Sequence, residues 1–283
     1  MRPAKKARER LQGNWGTAAG VQCVSLASRL LLLLLELLAL RLLGLGAERV
    51  VPVSALWSGG WVYGAVLAGA LLLDWLLISP LLLGRTAYYW KLTGGENAAF
   101  STVFCFFRRG YGLALRWRLS RFLRRVLWGA LCYAPAALLS GYASLVRRTG
   151  AQSPLIDVTL LLCTLFSLVT LAAGFVALEL LMLRYLPAGY LLVEGEPCKG
   201  LFRSACRIMR GRVGETAWLY AGFAGWFAAC LLLFPYFYAW PTLETCLAGA
   251  VRKYRSTVPE EEPDRRFLFH RRRKKSGPSA RMA

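Results

Sequence analysis

The sequence predicts an all-α fold, a polytopic transmembrane helix bundle of about six membrane segments with amphipathic helices at the cytoplasmic interface. Three observations predict it. The chain is 57% hydrophobic yet carries a formal net charge of +21 over 283 residues. Four apolar runs each reach the roughly 20 residues that a helix needs to cross hydrocarbon. Lysine and arginine also alternate between connecting loops, dense in one and sparse in the next. A soluble domain of this size has no room to bury so much apolar surface. Lipid-facing helices joined by basic loops satisfy both the hydropathy and the charge.

The elements follow in order. Residues 1–20 form a basic arm with Arg2, Lys5, Lys6, Arg8 and Arg10, followed by a leucine-rich run that reads as a retained first span rather than a cleaved signal. Spans are expected at Val21–Gly46, Trp61–Leu83, Val126–Val146 and Leu155–Leu183. A last apolar region, Ala217–Val251, is interrupted by Pro235 and Pro241, each of which removes a backbone donor. It is expected to divide into two compressed segments, Ala217–Phe234 and Tyr236–Val251, or into a span and a re-entrant arm. The membrane domain thus runs over residues 21–255, and 256–283 reads as a disordered basic tail.

Charge sets the orientation. The second loop holds Arg85, Lys91, Arg108, Arg109, Arg116, Arg118, Arg121, Arg124 and Arg125, and the fourth holds Lys199, Arg203, Arg207, Arg210 and Arg212. The first loop has only Arg49 and the third Arg147 and Arg148. Positive residues stay on the cytoplasmic side, so the sequence predicts a multi-pass protein of the cell's inner (plasma) membrane with both termini cytoplasmic. Aromatic clusters at Trp57, Trp61, Tyr88–Trp90, Trp117, Trp128, Trp218, Tyr220 and Tyr236–Trp240 read as interfacial belts.

A duplication at a period of about 100 residues is visible. Gly95-Glu96, Arg109-Gly110, Trp128 and Pro135 are echoed by Gly195-Glu196, Arg210-Gly211, Trp226 and Pro235, dividing the domain into units of about 60–150 and 155–255. Each unit would be span, surface helix, span. Phe100, Val103, Phe104 and Phe107 make one apolar stripe, and Leu201, Ala205 and Ile208 another, opposite Arg203, Arg207 and Arg210. A third stretch sets Leu119, Phe122, Leu123 and Val126 against Arg118, Arg121 and Arg125. Basic amphipathic helices of this kind attract anionic lipid, and the same pattern also suits linkers packed on the bundle.

Tyr190-Leu191-Leu192, Ala205–Met209 with Gly211, Gly222-Phe223-Ala224-Gly225-Trp226, Pro235-Tyr236 and Tyr254 carry a resemblance. The chain from about Trp61 to Arg255 resembles a family of bacterial integral membrane proteins known as domain of unknown function nine-seven-five. The resemblance implies a multi-span bundle and no activity. One departure is Ala205 where that family usually has serine, with Ser204 beside it. A more distant similarity to the membrane region of glycerophosphodiester phosphodiesterases would bring no catalytic residues.

Carboxylates within spans are costly and mark functional candidates. These are Glu36, flanked by Arg29 and Arg41; Asp74, with no basic neighbour in its own span; and Glu179, near the cytoplasmic end of the fourth. Glu36 reads as half of an ion pair with Arg29. Asp74 must pair with another helix, face water or stay protonated. His270 is the only histidine and lies in the tail, so no catalytic residue, cofactor or metal site is assigned. Glu261-Glu262 with Arg266 resembles a prenyl-protease motif by coincidence only, and the cysteines read as small hydrophobes. The leading expectation is a non-enzymatic protein that organises or binds anionic membrane lipid, a protein partner or a second copy at the cytoplasmic leaflet. A transporter using Asp74 and Glu36 is the alternative, with a lipid-modifying enzyme third. Nucleic acid is a poor fit, because topology already accounts for the charge.

Overall fold

Long helices form where apolar residues run on without a break, and short ones where glycine and proline intervene. The computed structural model describes residues 3–42, 60–96, 98–148, 154–229 and 234–257, and every regular element among them is helical. In order these are α1 (Pro3–Leu11), α2 (Trp15–Leu42), α3 (Gly60–Gly94), a 3-10 turn (Phe100–Phe104), α4 (Cys105–Arg108), α5 (Tyr111–Arg148) and α6 (Pro154–Leu183). There follow α7 (Pro187–Val193), α8 (Leu201–Ile208), α9 (Val213–Gly222), α10 (Ala224–Ala229) and α11 (Phe234–Ser256). Four of them, α2, α3, α5 and α6 (the last continued by α7), are long and apolar enough to cross a membrane by length and composition. The loop holding Arg49 and the tail beyond Thr257 lie outside the described residues.

The core sits at one end of the long helices. Exposed leucines fill the C-terminal half of α2 (Leu30–Leu42), the middle of α3 (Leu71–Leu77), α5 from Leu119 to Leu145 and nearly all of α6. The buried residues gather elsewhere, as a helical cap around the last third of α3, where Ile78, Leu83, Tyr88, Tyr89 and Leu92 are enclosed. The start of α2 runs beside this segment: Thr17 and Tyr88 share a hydrogen bond of 2.8 Å, and Gln22 Nε2 donates to Tyr89 OH at 2.9 Å. The 3-10 turn lies across it, and α7, α8 and α11 close the remaining sides.

Several expected boundaries move. The Trp61–Leu83 span continues to Gly94, since nothing between Gly84 and Thr93 stops a helix. Arg116–Val126 is not a separate surface helix but the first part of α5, 38 residues long. Tyr88, Tyr89, Trp90 and Trp117, expected at a membrane interface, are instead core, all at most 6% exposed. The basic arm is folded too: α1 buries Ala7 and Leu11, and Arg8 lies over the Tyr238 ring of α11. The first and last described helices therefore pack together.

The two halves of the suspected duplication end their first long helices alike. Gly95 (φ 81°) and Gly195 (φ 96°) adopt the left-handed conformation. In the first, Gly95 N donates to Leu92 O and Glu96 N to Lys91 O; in the second, Gly195 N donates to Leu192 O and Glu196 N to Leu191 O. This is the paired-bond glycine cap, which satisfies orphan carbonyls at a helix end. Gly110 (φ 100°) and Gly211 (φ 77°), just beyond the two short helices, also correspond.

Close approaches make two glycines indispensable. A Cβ on Gly84 would lie 1.9 Å from the Val103 carbonyl oxygen, and one on Gly174 would lie 2.6 Å from that of Cys132, where α5 and α6 pack antiparallel. Gly84→Val is expected to lower stability in detergent by at least about 1–3 kcal/mol, the usual cost of overpacking. Gly64→Val, whose added atom meets open space, serves as the neutral control in the same thermal-unfolding measurement. Equal melting of the two variants would refute the packing of the 3-10 turn on α3.

Candidate functional site

Two of the three candidate carboxylates, Asp74 and Glu179, are held by α5. Asp74 Oδ2 accepts from Arg118 Nη2 at 2.5 Å, while Arg118 Nη1 donates to the Asp74 carbonyl at 2.8 Å and stands over the Trp75 ring. The expected span Trp61–Leu83 holds no basic residue, and a neighbouring helix supplies the partner. Glu179 is paired with Arg125, seven residues further along α5. Arg118 and Arg125, expected to contact anionic lipid, pair with carboxylates of α3 and α6 and so link α5 to both helices. Arg121, between them, lies over the Trp117 ring at 5.9 Å, within electrostatic range of Arg85, Glu244 and Tyr220. Glu36 is half-buried, and its expected pairing with Arg29 does not form.

α8 turns its apolar face inward. Leu201, Phe202, Ala205 and Ile208 are buried, whereas Arg203, Arg207 and Arg210 are exposed. The first stripe divides differently: Val103 is fully buried, while Phe100, Phe104 and Phe107 stay 36–41% exposed. Their rings touch in series and continue to Tyr111, with centroids 6.0, 6.3 and 6.4 Å apart. The Tyr111 hydroxyl donates to the Leu76 carbonyl at 3.0 Å, so this aromatic ridge begins where the exposed leucines of α3 end.

Two features were not read from the sequence. The first is an ion pair in the cap, Arg85 with Glu244 at 3.1 Å, whose side chains are only 16% and 13% exposed. Tyr89, Tyr190 and Tyr220 all lie within electrostatic range of both charges. One available signal was Glu244 itself, a carboxylate inside the apolar Tyr236–Val251 stretch.

The second is a groove of about 700 Å³ between α1, the end of α3, α9 and α11. Lys6, Arg10, Arg252 and Lys253 line it, with Glu215 the one acidic residue on its wall. Arg10 donates to the Thr93 carbonyl at 2.8 Å and Arg252 to that of Trp90 at 3.0 Å, so two groove arginines also cap α3. Glu215 accepts from the Tyr254 hydroxyl at 3.1 Å. Ala7, Leu219, Cys246, Gly249 and Ala250 supply the apolar lining, and Trp218 stands 81% exposed.

Among the described residues no group of three or more His, Cys, Asp and Glu side chains could hold a metal ion. Burial pushes the Cys105 and Cys206 thiols up, so neither is a poised thiolate.

The Arg85–Glu244 pair makes a quantitative prediction. Removing one partner of a buried pair leaves an uncompensated charge and costs about 3–5 kcal/mol, whereas apolar replacement of both is often neutral. Glu244→Leu alone is expected to destabilise the detergent-solubilised protein by that amount, and Arg85→Met with Glu244→Leu to recover most of it. A double-mutant cycle in thermal unfolding measures the coupling, and additive losses would deny the contact. No family model, no curated protein and no solved structure matches this chain.

Proposed function

We propose that this is a non-enzymatic multi-pass protein of the cell's inner (plasma) membrane, with both termini cytoplasmic, that binds and organises anionic lipid at the cytoplasmic leaflet. The observation that carries the reading is the segregation of the surface. Apolar side chains cover the long helices, and a folded cap at one end presents the exposed Arg203, Arg207 and Arg210 together with the Phe100–Phe104–Phe107 ridge. Rings at headgroup level beside basic residues are the usual means of holding an anionic interface. Meeting of α1 and α11 supports termini on the same side.

The count of six segments belongs to this proposal. Its fifth is α9 with α10 and its sixth a re-entrant arm at the start of α11, joined by the Trp226–Tyr238 ring contact at 5.3 Å. The resemblance to the bacterial family of integral membrane proteins implies the same architecture. The matching glycine caps favour a duplicated unit of helix, cap segment and helix. Transport through Asp74 has less support, because Arg118 already occupies its carboxylate. A protein partner or a second copy would meet the same basic face.

Reconstitution tests the lipid reading. In nanodiscs of mixed phosphatidylglycerol and phosphatidylcholine, the protein is expected to enrich the anionic lipid around itself at low salt. Arg203→Gln with Arg210→Gln should weaken that preference by about 1 kcal/mol per charge, read by quenching with brominated lipids. A preference indifferent to both the substitutions and salt would refute the proposal. A C-terminal reporter active only outside the cell would refute the topology.

A further inference from the structure

We infer that the groove between α1, α9 and α11 is a specific site for one anionic phospholipid of the cytoplasmic leaflet, an inference that rests on the lipid-binding reading and assigns it a place. Four cations against one carboxylate give the groove a net positive charge, and that carboxylate, Glu215, is already engaged by the Tyr254 hydroxyl. Lys6 and Lys253 are exposed and take part in no ion pair among the described residues. Arg10 and Arg252 each give part of the guanidinium to a carbonyl at the end of α3, which fixes them in place and leaves other N–H groups for a phosphate.

A small free anion would need only the cations. Apart from the charges, Thr93, Thr245, Tyr254 and Ser256 line the groove with hydroxyls that already donate within the protein. Ala7, Leu219, Cys246, Gly249 and Ala250 offer nothing to a phosphate. They suit an acyl chain or the glycerol ester region of a lipid. Trp218 adds an amphipathic ring of the kind that settles at headgroup level. A wall that combines cations with an apolar lining matches an amphiphile with a phosphate head. An acidic peptide would use the cations but leave the lining unfilled, and a zwitterionic lipid would use the lining but gain little from the net charge.

The test uses the full chain, delipidated in detergent and titrated with phosphatidylglycerol, phosphatidylcholine of the same acyl chains, and inorganic phosphate. Binding is read by native mass spectrometry and by tryptophan quenching with brominated chains. One phosphatidylglycerol is expected to bind at least about tenfold more tightly than phosphatidylcholine, and Lys6→Glu with Lys253→Glu to abolish that margin. Gly249→Leu, whose added carbon meets open space, should weaken both lipids by filling the groove without changing its charge. Trp218→Phe should remove part of the quenching, and Arg203→Gln with Arg210→Gln on α8 should leave the tight site intact.

The outcomes separate the two claims. If the groove variants keep the preference and the α8 variant loses it, the groove assignment is overturned while lipid binding stands. If the wild-type chain shows no preference in detergent or in nanodiscs, both fall. If inorganic phosphate competes as strongly as phosphatidylglycerol, the groove is a free-anion site and the phospholipid assignment is overturned.

Discussion

A helix that runs past its exposed apolar segment and remains apolar must be covered by protein, and the last third of α3 is covered in this way. Between Ile78 and Leu92 the large side chains Ile78, Leu81, Leu83, Tyr88, Tyr89, Trp90 and Leu92 are all buried in protein. The surrounding elements each cover one part of that surface. The start of α2 supplies Gln22 and Thr17 to the two tyrosine hydroxyls, the 3-10 turn fits against Gly84, and α7 sets Tyr190 beside Trp90. Side chains of this size contribute most of the burial energy of a small core. The cap is therefore a packed unit built on the end of a long apolar helix, not a set of loops between such helices.

Arginine holds this arrangement where apolar contact cannot. The carbonyls ending α3 carry the negative end of its dipole, and Arg10 and Arg252 reach them from the two ends of the chain. Arg252 also stacks 4.5 Å from the Trp90 ring, and its guanidinium comes within 2.8 Å of where a Cβ on Gly94 would lie. At the second glycine cap, Arg255 pairs with Glu194 and lies 3.7 Å from Glu196. Planar, permanently charged guanidinium groups suit these sites better than lysine, because several fixed donors can serve a carbonyl and a carboxylate together.

What the sequence made legible was whatever depends on local pattern. Long apolar runs showed the four long helices, and the period of 3.6 residues marked Leu201, Ala205 and Ile208 as one face of α8, the face that is buried. What that face packs against is a tertiary fact, since protein core and lipid select the same side chains. The same ambiguity hid the cap: Tyr88, Tyr89 and Trp90 have the composition of an interfacial belt and the location of a core. Arg85 and Glu244 stand 159 residues apart, so no local rule could join them. Asp74 was recognisable as a carboxylate needing a partner, but Arg118 was counted among loop charges because the start of α5 was read as a separate surface helix.

The charge left after folding bears on why the cap is basic at all. Arg85, Arg118, Arg125 and Arg255 are matched by carboxylates, and Arg10 and Arg252 by helix-end carbonyls. Lys6, Arg203, Arg210 and Lys253 need no such structural explanation, for they lie exposed and away from the core. Like charges gathered on one compact face repel and destabilise it. Topology alone would be served by any basic residues in short flanking loops. Here some sit on a folded helix whose opposite face is buried, and others on the wall of an apolar groove. An anionic surface brought against that face relieves the repulsion, and a groove that combines the same charge with an apolar lining does so one molecule at a time.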